Sequence, residues 1–247
     1  MEIHEIGEGG IDEQHTGAHW ERLAPGVARR RLPGWDATTG AVAGTTGALV
    51  VDTGSGFGEG EEIRRGVMEL FGLPVTHVAL THAHFDHVLG TAAFPGATVY
   101  GTFGDRDELF RDAVAYGVPA GAARDAVERP VPPVHPVGGG LEIDLGGGRR
   151  VRLVGLGAAH SPDDLVVFVP GEVPGERAVV FCGDLVEESG EPQAGPDASP
   201  ERWPAALDRL LELGGEDALY VPGHGAAVDA RFVREQRNAL ARRFGVS

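Results

Sequence analysis

The stretch Thr76-His77-Val78-Ala79-Leu80-Thr81-His82-Ala83-His84-Phe85-Asp86-His87-Val88-Leu89-Gly90 decides how the rest of the chain is read. Its apolar run, Val78 to Leu80, has the character of a buried strand and stops abruptly at a knot of imidazoles and one carboxylate. Residues at i and i+2 of an extended backbone point the same way, so His82 and His84 can face one metal ion. The turn that follows would swing Asp86 and His87 toward a second ion beside the first. The competing readings are a surface loop rich in histidine, and an Asp86 that only caps a short helix beginning near Val88.

Upstream of this loop, Gly26 to Leu32 and Gly40 to Thr53 read as short strands punctuated by glycine, the last closing on Leu49-Val50-Val51-Asp52. Glu59 to Phe71 carries Ile63, Val67, Leu70 and Phe71 at helical spacing, and Gly72-Leu73-Pro74 ends it. The order is therefore strand, helix, strand, site. Downstream, the pattern predicts a strand over 97–100, a helix over 105–116, and a loose stretch over 117–148 punctuated by Pro119, Pro130, Pro132, Pro133 and Pro136. Strands are expected at 151–156, 165–169, 178–182 and 219–221, and helices at 204–213 and 231–244. Residues 1–20 are polar and without a period, and are expected as a loose arm in which His4, His15 and His19 lack ligand spacing. His135, between prolines, is read as structural. No linker divides the chain, so one domain over residues 1–247 is expected.

Composition narrows the chemistry. The 247 residues carry a formal net charge of -16, and all 21 basic residues are arginine. That balance argues against a phosphate-backbone surface and against anionic lipid, so nucleic acid and membrane are excluded as expected partners and a small-molecule substrate is favoured. The single cysteine, Cys182, excludes an internal disulfide framework and a thiolate zinc cage, leaving nitrogen and oxygen ligands. With no apolar leader in Met1-Glu2-Ile3-His4-Glu5 and no apolar run near the roughly 20 residues of a bilayer span, a cytoplasmic location is expected. Nothing in the sequence fixes the oligomeric state.

Three further residues stand after apolar segments: His160 behind Gly157-Ala158-Ala159, Asp184 in Phe181-Cys182-Gly183-Asp184, and His224 in Val221-Pro222-Gly223-His224-Gly225. Taken singly, each is also an ordinary turn residue. Their order after His82-x-His84-x-Asp86-His87 resembles the metallo-β-lactamase-fold hydrolase superfamily, over about Gly26 to Phe244.

The resemblance implies an α/β fold, a four-layer αββα sandwich with a dinuclear site at one edge. His82, His84 and His160 would hold the first ion, Asp86, His87 and His224 the second, and Asp184 would bridge them as in the glyoxalase II-like and lactonase-like branches. In the β-lactamases that bridging position is usually cysteine or serine, so Asp184 counts against β-lactam hydrolysis. Asp52 matches a buried carboxylate behind the site, the alternative being a strand-ending turn residue. The implied activity is a metal-dependent hydrolase in which a hydroxide shared by two divalent ions, zinc first and manganese or iron as alternatives, cleaves a small ester, lactone, thioester or related molecule. Asp86 would also carry a proton to the leaving group. Two other functions share parts of this ligand set: a mononuclear iron persulfide dioxygenase on His82, His84 and His160, and a non-catalytic metal-binding protein. Loops 54–60, 101–140 and 187–202 are expected to shape the substrate pocket, with Glu187, Glu188, Glu191 and Glu201 as an acidic rim.

Overall fold

The computed structural model describes residues 19–173 and 175–246. Strands β1 (Glu21–Ala24), β2 (Val27–Arg31), β3 (Thr38–Ala43) and β4 (Ala48–Val51) form an antiparallel meander. Helix α1 (Phe57–Phe71) crosses back to β5 (Val75–Ala79), which runs parallel to β4. The chain continues through α2 (Phe85–Val88), β6 (Thr98–Tyr100), α3 (Arg106–Ala115), α4 (Ala120–Glu128), β7 (Val134–His135) and β8 (Gly140–Asp144). It ends with β9 (Arg150–Gly157), β10 (Asp164–Val169), β11 (Val179–Glu187), α5 (Trp203–Gly214), β12 (Leu219–His224) and α6 (Ala230–Phe244). Strands β1 to β7 make one sheet in that order, and β12-β11-β10-β9-β8 make the other.

Alternation of side chains along the strands builds the four layers. Leu49 and Val51 of β4 meet Leu165, Val167, Val179 and Phe181 between the sheets, while Val50 turns outward to Ile63 and Val67 of α1. On the far side, Val166 and Val180 pack against Trp203, Leu207 and Leu210 of α5 and Val233 of α6. Trp203 is fully buried and donates its indole N–H to the Leu185 carbonyl at 3.0 Å, so this layer is fixed by a directed bond as well as by area. The result is the αββα sandwich expected from the resemblance.

Several boundaries differ from the sequence expectation. The stretch 117–148 contains α4, whose inward face is Ala123, Ala126 and Val127, and the short strands β7 and β8. Alanine favours helix yet gives no apolar stripe to read, and the flanking prolines mask the element. Helix α2 starts at Phe85, with His84 at its N-cap, so Asp86 lies inside it and is not its cap. Strand β11 runs through Asp184 to Glu187 and all nine of its residues are buried. Gly183, at φ +54°, sits at a register shift against β12 that lets the strand continue. Residues 1–18 lie outside the described part, and with them His4, His15 and most of the expected arm.

Candidate metal centre

Strand ends of both sheets meet at one edge of the sandwich. From the first sheet come Asp52, just beyond β4, and the segment Thr81 to His87, beyond β5; from the second come His160, Asp184 and His224. Leu165 N–H donates to the Thr81 carbonyl at 2.7 Å and ties the sheets together beneath the site. The strands fix the side chains and leave the loops beyond them free to vary.

All seven residues expected as ligands converge. One ligand atom each of His82, His84, His160 and Asp184 lie within 4.8 Å of one another, and so do those of Asp86, His87 and His224. Asp184 spans the two groups: Oδ2 is 3.7 Å from His82 Nε2, 3.5 Å from His160 Nε2 and 3.4 Å from His224 Nε2, while Oδ1 is 3.2 Å from His87 Nε2. Asp86 Oδ2 lies 3.4 Å from His224 Nε2 and 3.6 Å from His87 Nε2. Gly223 makes this possible, because a Cβ there would fall 1.8 Å from Asp184 Oδ1.

Each imidazole is anchored from behind, and the anchors set the tautomers. His87 Nδ1 donates to Asp52 Oδ2 at 2.9 Å. The Thr81 hydroxyl gives its one proton to Asp52 Oδ2 at 2.8 Å, so it accepts from His82 Nδ1 at 3.0 Å. His160 Nδ1 donates to the Gln193 carbonyl at 3.2 Å and His224 Nδ1 to the Trp35 carbonyl at 2.9 Å. His84 is turned the other way, with Nε2 donating to Asp197 Oδ2 at 3.1 Å and Nδ1 facing inward.

In their neutral forms the five histidines therefore point five nitrogen lone pairs into one space. His84 Nδ1 faces His160 Nε2 at 3.1 Å, and His87 Nε2 faces His224 Nε2 at 3.4 Å. Facing lone pairs repel unless a proton or a cation lies between them. The buried atoms His82 Nε2 and Asp184 Oδ1 have no hydrogen-bond partner, and within this ligand cluster a metal ion would satisfy both. The donor set fits divalent cations.

The electrostatics divide the histidines: two favour the neutral form, and two are drawn toward the protonated form by the carboxylates that would otherwise face a cation. Burial, helped by the neighbouring His87, holds His82 neutral well below the usual imidazole range, and burial drives His160 down to about 4. Burial also opposes charge on His87 and His224, but the surrounding carboxylates, Asp184 foremost, outweigh it: His87 rises well above its ordinary value and His224 reaches about 11. For Asp184, burial is overcome by His87, His224 and His82, and the carboxyl stays well below its usual range. Cys182 is buried, and burial pushes its thiol up, so it supplies no thiolate.

The surroundings held features the sequence did not display. Asp52 accepts the Thr81 N–H as well as its hydroxyl, from a left-handed backbone at φ +58°, and so stands as the shared buttress of two histidines rather than as a simple turn residue. Asp164 receives Ser161 N–H and Oγ–H and shapes the turn that presents His160. Residues 188–202 border the site through Asp197 and Gln193. The acidic rim is smaller than expected, because Glu187 is buried and Glu188 accepts the Ala226 N–H at 2.6 Å. Trp35, whose carbonyl holds His224, forms an aromatic group with Phe85 and Tyr116 and lies edge-on to Phe85 at 5.2 Å.

This fold and cluster belong to a known class. The family described as the metallo-beta-lactamase superfamily matches residues 32–224, and the chain belongs to it. It is 32% identical over 155 residues to metallo-beta-lactamase domain-containing protein 1 of Xenopus laevis, covering 61% of this chain and 54% of that protein. It is 27% identical over 217 residues to the 2,4-dinitroanisole O-demethylase subunit alpha of a Nocardioides species (strain JS1661), covering 84% of this chain and 60% of that protein. The chain thus spans little more than half the length of these curated relatives. Among solved structures, a metallo-beta-lactamase from Pontibacter korlensis superposes with a TM-score of 0.69 at 22% identity over 90% of this chain and 98% of that one, a likeness of fold. Among the described residues, no helix is long and apolar enough to cross a membrane.

Proposed function

We propose that the chain is a hydrolase that works with two divalent cations on a small ester, lactone, thioester or related substrate. The observation that carries this reading is the convergence of two ligand groups on Asp184, with His82 Nε2 and Asp184 Oδ1 buried and unpartnered. His82, His84 and His160 would hold the first cation, Asp86, His87 and His224 the second, and Asp184 would serve both. Zinc suits this nitrogen-rich set, and the oxygen ligands also admit manganese or iron. When bound, such a pair supplies a water acidified toward neutrality and a Lewis acid for the reacting carbonyl.

The chain's own residues do the rest. Asp52 and Thr81 keep His82 and His87 in one tautomer and one orientation, so no reorganisation is needed as charge develops. Asp86, placed between His87 and His224, is the carboxylate available to pass a proton to the leaving group. The completeness of the second group favours a dinuclear site over the single-iron alternative.

The test is a substrate panel of ester, lactone, thioester, phosphodiester, β-lactam and aryl methyl ether, the last because one relative is named as a 2,4-dinitroanisole O-demethylase. Turnover of an ester, lactone or thioester that is lost on chelation and returns with metal supports the reading. Hydrolysis that survives chelation, or oxygen consumption with a persulfide in place of hydrolysis, would overturn it.

A further inference from the structure

We propose that Glu187 is an additional protein ligand of the second cation, a carboxylate outside the seven-residue set; this rests on the two-cation reading above. Glu187 closes β11 and is paired in register with His224 at the end of the parallel strand β12. A carboxylate oxygen of Glu187, an oxygen of Asp184 and a ring nitrogen of His224 all lie within 4.8 Å of one another, so a cation held by Asp184 and His224 would have the Glu187 carboxylate within reach. The residue is only 9% exposed, and its hydrogen-bond donor is a neutral hydroxyl, Ser189 Oγ, at 2.7 Å from Oε1. The chain contains no lysine, and among the described residues no arginine pairs with this carboxylate. Apart from the imidazoles of the site itself, this buried carboxylate has no cationic neighbour, so a cation held by Asp184 and His224 would also offset its charge. Asp184, whose Oδ1 is buried and unpartnered, is common to this triad and to the seven-residue set, so Glu187 adjoins the carboxylate that serves both groups.

Charge and rigidity support the same role. Asp86 and Asp184 together bring two negative charges against the four positive charges of two divalent cations, and Glu187 brings a third. The backbone is held from α6: Gln236 Oε1 accepts the Glu187 N–H at 3.0 Å, and Gln236 Nε2 donates to the Leu185 carbonyl at 2.8 Å. Such a clamp fixes where the carboxylate can reach. With Glu187 the second group gains oxygen donors while the first stays mainly imidazole, so the second position tolerates harder cations such as manganese better than the first.

The experiment is a competition titration of the metal-stripped full chain against a chromophoric chelator, with zinc and separately with manganese. The step belonging to the second group is identified by its loss in His224→Ala. Glu187→Gln is expected to weaken that step by about tenfold or more, most for manganese, and to leave the other step within about twofold, the size of effect that supporting groups have on metal affinity. Ser189→Ala, which keeps the carboxylate, should leave both steps nearly unchanged. If Glu187→Gln does not fold by circular dichroism, Glu187→Asp, which retains charge but withdraws it by one methylene, carries the same readout. Two cations bound with unchanged constants in a folded Glu187 variant would overturn the assignment while leaving the dinuclear reading intact. Fewer than two cations bound by the wild-type chain would overturn both.

Discussion

Asp52 Oδ2 lies 2.9 Å from His87 Nδ1 and, through the Thr81 hydroxyl, also holds His82, so one buried carboxylate orients a histidine of each group. Asp52→Asn keeps the left-handed backbone, which asparagine tolerates, but places an amide where two acceptors are needed. Metal affinity should fall about 10- to 100-fold in a chelator competition. Asp52→Ala should also destabilise the stripped protein, because it leaves the Thr81 and His87 donors buried and unpaired at about 1–3 kcal/mol each. An Asp52→Asn protein with wild-type affinity would remove the buttress role.

Asp184→Asn should harm metal retention more than folding, since it nearly preserves volume while removing the charge between two cations. Activity should fall to background and metal content to one cation or fewer. Gly223→Ala is expected to act on the same carboxylate from behind, because its new Cβ would collide with Asp184 Oδ1. Elemental analysis of both purified variants checks this, and two retained cations with full turnover would contradict it.

Segment 188–202 anchors two histidines of the first group, His84 through Asp197 and His160 through the Gln193 carbonyl, whereas His87 and His224 are anchored elsewhere. Metal loading and ordering of this segment must then favour one another, by linkage. Asp197→Ala should weaken the first-group step about 10- to 100-fold and leave the second nearly unchanged. Hydrogen exchange over 188–202 should slow on metal addition, and exchange indifferent to metal would sever the proposed link.

How far the sequence could be read follows from how local each contact is. His82 to His87 lie within six residues, so their clustering is legible locally, although β5 ends at Ala79 and a bend at Thr81 and His82, not strand periodicity, aims the rings. His160, Asp184 and His224 became readable only through their order along the chain. Asp197 is 113 residues from the histidine it holds, and Trp35 contributes a carbonyl that has no sequence signature. Glu187 was misplaced on the rim because the register shift at Gly183 hides the continuation of β11 beyond Cys182. The layers were legible where β-branched and leucine residues run together, as in β10, and illegible in α4, whose buried face is mostly alanine.

The central claim is that the folded chain binds two cations through these residues. It is tested most directly by elemental analysis of protein purified without added metal, followed by thermal unfolding before and after chelation. The account predicts about two transition-metal ions per chain and a lower melting temperature once they are removed. A site held at a free-ion concentration 100 times its Kd contributes about 2.7 kcal/mol, or about 5 to 10 °C per ion for a chain of this length. Protein that is metal-free as purified, takes up no metal on titration and melts at the same temperature after chelation would contradict it.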